Sequence, residues 1–223
     1  MNGILVRTFV LPLGKRESRM KTLYTVGHSS LDFQQLAMLL KNAQVEVLVD
    51  VRSRPYSSRF PQFSQPGLEK LLDGCGISYL FLGEELGGRP DDPDTYRPSG
   101  VVDYRSRRKS YAFQAGLERL LRELELRSLA LMCAEEDPLE CHRFLMICPE
   151  LVKLGVRPLH IRKDSAVEPQ ESAENRLLEI RGLGDVTGST LFPEARAEAL
   201  EEALSLQAER FAFRVDPAFV DRW

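Results

Sequence analysis

Val45-Glu46-Val47-Leu48-Val49-Asp50-Val51-Arg52 is the stretch that decides the fold. It is rich in β-branched residues, nearly all apolar, and stops at an aspartate and an arginine. A strand with one face in water alternates apolar and polar residues. A near-continuous apolar run implies burial on both faces, as in a parallel sheet covered by helices. Upstream, residues 23–26 form a second β-type run that ends at Gly27-His28-Ser29. Phe33, Leu36, Ala37 and Leu40 follow at helical spacing, with Ser29 and Asp32 as a capping-box-like start. Downstream, residues 77–82, 128–133 and 157–161 read as three further strands. Residues 67–75 read as a short helix, and Phe113, Leu117, Leu120, Leu121 and Leu124 mark a strongly amphipathic one. Residues 141–154 read as another, in which Pro149 removes a backbone donor and forces a kink or an irregular start.

Strands alternating with helices predict an α/β fold. The expected form is a five-stranded, mainly parallel, doubly wound sheet of Rossmann-like or flavodoxin-like type with right-handed crossovers. Residues 1–21 are expected to be an N-terminal extension, 22–162 the α/β domain, and 163–223 an acidic helical C-terminal extension packed back on the sheet. Within that extension, 162–173 reads as a linker, 173–180 as a short helix, 182–189 as a turn-rich loop and 193–210 as a long helix. Residues 83–110 show no sustained period, and a loop of that length in a compact domain is usually functional.

The 223 residues are 43% apolar and 28% charged, which argues against a disordered or collagen-like chain and allows a substantial core without cross-links. The four cysteines, Cys75, Cys133, Cys141 and Cys148, are too sparse for a disulfide scaffold, so a reducing cytoplasm is the expected compartment. No apolar run reaches the ~18 residues of a membrane span. Residues 4–13 are apolar but interrupted by Arg7 and lack a cleavage site, against a signal peptide; Met20 is a second candidate start. The net charge of −3 hides a skew: residues 1–163 carry +4 and residues 164–223 carry −7.

Parallel sheets bind ligands beyond the carboxyl ends of their strands. The residues there are ionisable throughout, which turns alone do not require. His28 precedes a helix start, Asp50 ends the buried strand, and Glu135 and His142 follow the fourth strand. These four are the candidate catalytic residues: His28 or Glu135 to carry a proton, Asp50 to act as a base or orient an arginine. Ser29, Arg52, Arg54, Arg89, Cys141 and Arg143 are the candidate substrate-binding residues, with Arg59 in the same arginine cluster. Guanidinium groups hold phosphate or carboxylate through paired donors, so the cluster points to an anionic ligand. Glu136 reads as solvated, His160 as a structural histidine, and Cys133 as a buried inert thiol. Cys133 does not head a Cys-x5-Arg cradle, because residue 139 is Leu139. The spacing of Cys133, Cys141, His142 and Cys148 does not match the usual zinc knuckles, so no metal is expected. Gly182, Gly184 and Gly188 miss the dinucleotide spacing and no P-loop is present, so no cofactor is expected either.

Three functions follow as expectations. The first is a hydrolase or group transferase acting on a phosphate-bearing substrate, a nucleotide or nucleic acid. The second is a non-catalytic nucleic-acid-binding module, resting on the basic run Arg105, Arg107, Arg108 and Lys109 with Tyr96, Tyr104 and Tyr111 around it. The third is a thiol-dependent enzyme using Cys141 beside Arg143. The partner is an anionic small molecule or nucleic acid, and not a membrane.

Several of these residues fall in recognisable segments: Tyr24-Thr25-Val26-Gly27-His28-Ser29, Val49-Asp50-Val51-Arg52, Arg59-Phe60-Pro61-Gln62-Phe63, Leu86-Gly87-Gly88-Arg89, and Met132-Cys133-Ala134-Glu135 followed by Cys141-His142-Arg143. Across about residues 22–162 the chain resembles the family called domain of unknown function 488. Leu191-Phe192 and the segment Phe211-Ala212-Phe213-Arg214 resemble that family's C-terminal extension. The resemblance implies an α/β sandwich with its site at these segments, and no particular activity. The first 20 residues and Pro149 depart from the family pattern.

Overall fold

The structure, a computed structural model, describes residues 21–184 and 193–217. Met20, Gly188, Leu191 and Phe192 lie outside the described residues, as does most of the proposed N-terminal extension. Six strands form one sheet: β1 (Lys21–Gly27), β2 (Val47–Asp50), β3 (Ser78–Phe81), β4 (Leu129–Cys133), β5 (Val156–Ile161) and β6 (Val167–Pro169). Their order is β3-β2-β4-β1-β5-β6, and every pairing is parallel except β5 with β6. The sheet is thus the expected α/β architecture with one more strand than the sequence suggested. The sixth strand lies in the segment read as a linker. It is three residues long and pairs only at an edge, too short to leave a periodic signal.

The helices are α1 (Phe33–Asn42), α2 (Gln65–Asp73), α3 (Gly83–Leu86), α4 (Tyr104–Lys109), α5 (Tyr111–Leu126), α6 (Cys148–Lys153), α7 (Gln170–Ile180) and α8 (Pro193–Phe211). They cover both faces. Val47, Val49, Leu129 and Leu131 pack with Leu86, Phe113, Leu151, Leu177 and Ala203. The alternate residues Val26, Leu48, Ala130 and Met132 pack with Leu36, Leu40, Leu68 and Leu72 under α1 and α2. This two-sided burial is what the apolar run of β2 demanded, since both side-chain rows of a strand need cover.

Three local readings change. The box at the start of α1 joins Asp32 to Gln35, each side chain bonded to the other's backbone, and does not involve Ser29. Residues 83–110 are not structureless: they hold α3, a 3-10 turn (Pro93–Thr95) and α4. The helix expected from residue 141 begins as a π turn (Arg143–Ile147), closed by the Cys148 N–H to the Arg143 carbonyl, and continues as α6 with Pro149 in its first turn. Proline has no N–H to donate, so the widened turn accommodates it.

Candidate active site

The strand order sets the carboxyl ends of β2, β4 and β1 side by side, with Gly27 opposite Cys133 and Asp50 opposite Met132. The residues that end or follow these strands therefore converge. A cleft of about 1060 Å³ opens over them. Arg52, Arg54, Arg59, Arg89 and Arg214 line it against two acids, Glu135 and Glu140. His28, Ser29, Cys133 and His142 also reach it.

On one side, Asp50 is fully buried and accepts from the backbone N–H of Arg52, from Arg52 Nε and Nη2, and from the Tyr79 hydroxyl at 2.9 Å. Arg52 Nη2 also donates to the Phe63 carbonyl at 2.7 Å, and its Nη1 faces His28 Nε2 at 3.2 Å. A guanidinium only donates, so His28 Nε2 is the acceptor, and Nδ1 carries the proton toward the Ser29 carbonyl at 3.2 Å. His28 stacks on Phe63 at 4.4 Å. Burial and then the Arg52 charge lower its pKa to about 4. The imidazole is thus neutral near pH 7 with both nitrogens engaged. Ser29 itself sits at φ 40°, a strained region for a residue with a side chain, held by its N–H to the Ala134 carbonyl.

On the other side, Cys133 Sγ lies 2.8 Å from Glu135 Oε2 and 3.5 Å from His142 Nδ1, and Cys141 Sγ lies 3.8 Å from the same nitrogen. His142 Nε2 donates to the Val51 carbonyl at 2.9 Å. Burial raises the Glu135 pKa, and the adjacent sulfur raises it further, although much of the side chain is exposed at the cleft mouth. Burial opposes ionisation of Cys133, but hydrogen bonding with Cys141 and the neighbouring His142 more than offset it, so its pKa falls. Burial drives the Cys141 thiol upward. His142 is raised because Cys133 and Glu135 outweigh the desolvation of its charge.

The candidate residues thus divide. His28, Ser29, Arg52, Arg54, Arg89, Glu135 and His142 line one cleft. Asp50 lies behind it, bonded to Arg52. Cys141 is buried and does not line it, so the thiol reading through Cys141 loses its access. Arg143 is turned inward: Nη1 donates to the Val26 carbonyl and Nη2 to the Glu136 carbonyl, both at 2.9 Å. Its guanidinium braces the ends of β1 and β4. Glu136 is not simply solvated but pairs with Arg162 at 3.0 Å. His160 is structural, between Thr25 at 2.7 Å and Gln170 at 2.9 Å.

The basic run is also partly spent. Arg107 is buried and donates to the Glu84 and Glu85 carbonyls; Arg108 is buried and pairs with Glu150 and Glu201. Tyr104 is buried as well, leaving Tyr111 exposed. Among the described residues, no helix is long and apolar enough to cross a membrane.

Sequence reasoning missed Tyr79, Phe63, Ser53 and the tail. Ser53 Oγ accepts from the Arg89 N–H at 2.8 Å. Phe213 packs under the Arg89 guanidinium at 4.8 Å. The tail is held there by the Val102 N–H to the Phe213 carbonyl and the Val215 N–H to the Gly100 carbonyl. Gly100 has φ 78°, and a Cβ there would stand 2.2 Å from the Val215 carbonyl oxygen. Phe63 was within reach, since it belongs to one of the recognisable segments.

Comparison with known proteins gives a family and a distant structural likeness. No curated protein matches the chain. Two crystal structures, at 1.60 and 1.40 Å, of a "Putative phosphatase (DUF442)" from Shewanella putrefaciens CN-32 align with 85% of this chain and 85% and 87% of theirs, at 12% identity and a TM-score of 0.31. The model of the family described as "Domain of unknown function DUF488" matches residues 32–147, more than half of the chain, and the chain belongs to that family.

Proposed function

We propose that the chain is an enzyme, a hydrolase or group transferase, whose substrate carries phosphate and lies in the arginine-lined cleft. The observation that supports this reading best is the lining of one cleft at the carboxyl edge of the sheet by five arginines and two glutamates, where Arg52 pairs with Asp50 and Arg214 with Glu209 while Arg54, Arg59 and Arg89 stay exposed. A cleft of this size accommodates a nucleotide-sized ligand. Arg54, Arg59 and Arg89 are exposed in it, Arg59 over the Phe60 ring and Arg89 over Phe213, and can present their donors to an anion. Arg52 is held in place by Asp50 and Phe63, so it is oriented before the ligand arrives. His28 is a positioning residue for Arg52 in this arrangement. Glu135, whose carboxylate is exposed at the mouth beside the arginines, is the group that gives or takes the proton.

The test is a thermal-shift and turnover panel of phosphomonoesters, nucleotides and short single-stranded nucleic acids. At least one class is expected to raise the melting temperature and release phosphate or nucleotide product, with turnover lost in Glu135→Gln and binding weakened in Arg54→Ala. A panel in which every phosphate-bearing class leaves both readouts unchanged would overturn the reading.

A further inference from the structure

We propose that Cys133, Glu135, Cys141 and His142 bind a single divalent cation of the zinc class on the floor of the cleft. One donor atom from each of the four lies within 4.8 Å of every other. Zinc bonds of about 2.3 Å to sulfur and about 2.0–2.1 Å to nitrogen or oxygen, at tetrahedral angles, set donors roughly 3.3–3.8 Å apart. The separations of 3.5 Å from His142 Nδ1 to Cys133 and 3.8 Å to Cys141 are of that size, whereas the exposed Glu135 carboxylate, 2.8 Å from Cys133, would turn outward to join them. The inference stands on this donor set and does not depend on whether the substrate is a phosphate.

Hydrogen bonds join the same four groups, with Cys133 Sγ 2.8 Å from Glu135 Oε2, and a cation would use the same donor atoms. The Val51 carbonyl can only accept, so His142 Nε2 carries a proton and, in the neutral ring, Nδ1 offers one lone pair. Both sulfurs face that one nitrogen, Cys133 at 3.5 Å and Cys141 at 3.8 Å. One cation would satisfy all four donors at once. The Nε2–H to backbone carbonyl bond is also the usual support of a metal-bound histidine, since it fixes the tautomer and the ring. Gly88 backs the ring: a Cβ there would come within 2.9 Å of it. Two thiolates, an imidazole and a carboxylate are a donor set for zinc rather than for magnesium or calcium.

Linear spacing hid the group because the fold assembles it. Cys133 ends β4, and the 3-10 turn Pro138–Glu140 returns the chain so that Cys141 and His142 face it. Cys148, which the spacing also suggested, is not in the group. Cys133, Cys141 and His142 are buried, whereas Glu135 is exposed at the mouth. Three fixed ligands and one exposed carboxylate make the Glu135 position the exchangeable one. It opens toward the arginines, where a water or a substrate oxygen can replace the carboxylate.

The full chain, stripped with a chelator, is titrated with zinc and with cobalt(II). One equivalent is expected to bind, with cobalt giving thiolate charge-transfer absorption and the visible bands of a tetrahedral site. Cys133→Ser and Cys141→Ser should each weaken zinc binding by about tenfold or more. Glu135→Gln should keep one equivalent and the thiolate bands, and Cys148→Ser should leave both unchanged. If the serine variants do not fold, alkylation of the wild-type protein decides: zinc should slow modification of Cys133 and leave Cys75 unaffected. A folded wild-type protein without cobalt–thiolate absorption, undiminished binding in the Cys133→Ser/Cys141→Ser variant, or alkylation of Cys133 that zinc does not slow would each overturn the proposal.

Discussion

Asp50→Asn keeps the shape of the side chain and removes its charge. The wild-type carboxylate is fully buried and receives donors only: the Arg52 N–H, Nε and Nη2, and the Tyr79 hydroxyl. In the variant an amide NH2 must face one of these donors, and the Arg52 guanidinium loses its counter-charge. Breaking a buried pair by changing one partner costs about 3–5 kcal/mol, since the remaining charge stays desolvated. With a urea dependence of about 3 kcal/mol per molar, the unfolding midpoint should fall by roughly 1–2 M. Tyr79→Phe removes one donor and should cost only about 1–2 kcal/mol. A double-mutant cycle of Asp50→Asn with Arg52→Met should give a coupling of about 2 kcal/mol or more. Urea unfolding followed by circular dichroism measures the wild-type protein and all four variants. If Asp50→Asn costs less than about 1 kcal/mol, Asp50 is not what holds Arg52, and the pre-oriented arginine has no physical basis.

Arg143→Met removes two hydrogen bonds from a charged donor at about 1–3 kcal/mol each, whereas exposed Arg54→Ala should change stability by no more than about 0.5 kcal/mol; chemical denaturation separates them. His160 has a folded pKa of about 3, through burial first, against about 6.5 unfolded, so the unfolded state binds more protons between these values. Stability should therefore rise with pH through that window, by up to about 1.4 kcal/mol per pH unit from this group, and the His160 ring resonances should still report a neutral imidazole at about pH 5. Titration of His160 near its ordinary value would contradict this. In Gly27→Ala the new Cβ would stand 1.7 Å from the Glu135 carbonyl oxygen, so the cleft floor must shift. The cost should exceed the ~1–3 kcal/mol of ordinary overpacking, read as a drop in melting temperature with lost ligand response.

The fold was legible where the signal was a long apolar or amphipathic period. Residues 45–49 announced burial on both sides, and the period from Phe113 to Leu124 announced α5. What was not legible was short or set by tertiary contact. β6 has three residues and exists only because β5 offers an edge. α3 and α4 are too short to show a period and are held by partners far along the chain, such as Arg107 on the Glu84 and Glu85 carbonyls. The position of the cleft was legible, because the parallel sheet directs attention to the strand ends. The roles of its residues were less legible. Arg143 and Arg54 look alike in sequence, and only the fold turns one inward to backbone carbonyls and leaves the other in the cleft. Tyr79 and Phe63 gave no chemical signal of their own, because each acts through Asp50 or Arg52. The charge skew also found a physical counterpart. The acidic segment supplies Glu201 to neutralise Arg108, while its last described residues add Arg214 to the cationic cleft wall.

The central claim is that the exposed arginines of this cleft hold a phosphate-bearing ligand. Calorimetric titration of inorganic phosphate and nucleoside phosphates into the wild-type protein and into Arg54→Ala/Arg89→Ala tests it most directly. The account predicts one binding site that weakens with added salt, and affinity lost in the double variant while its melting temperature is kept. No binding to the wild-type protein at low salt, or equal binding to the variant, would contradict it.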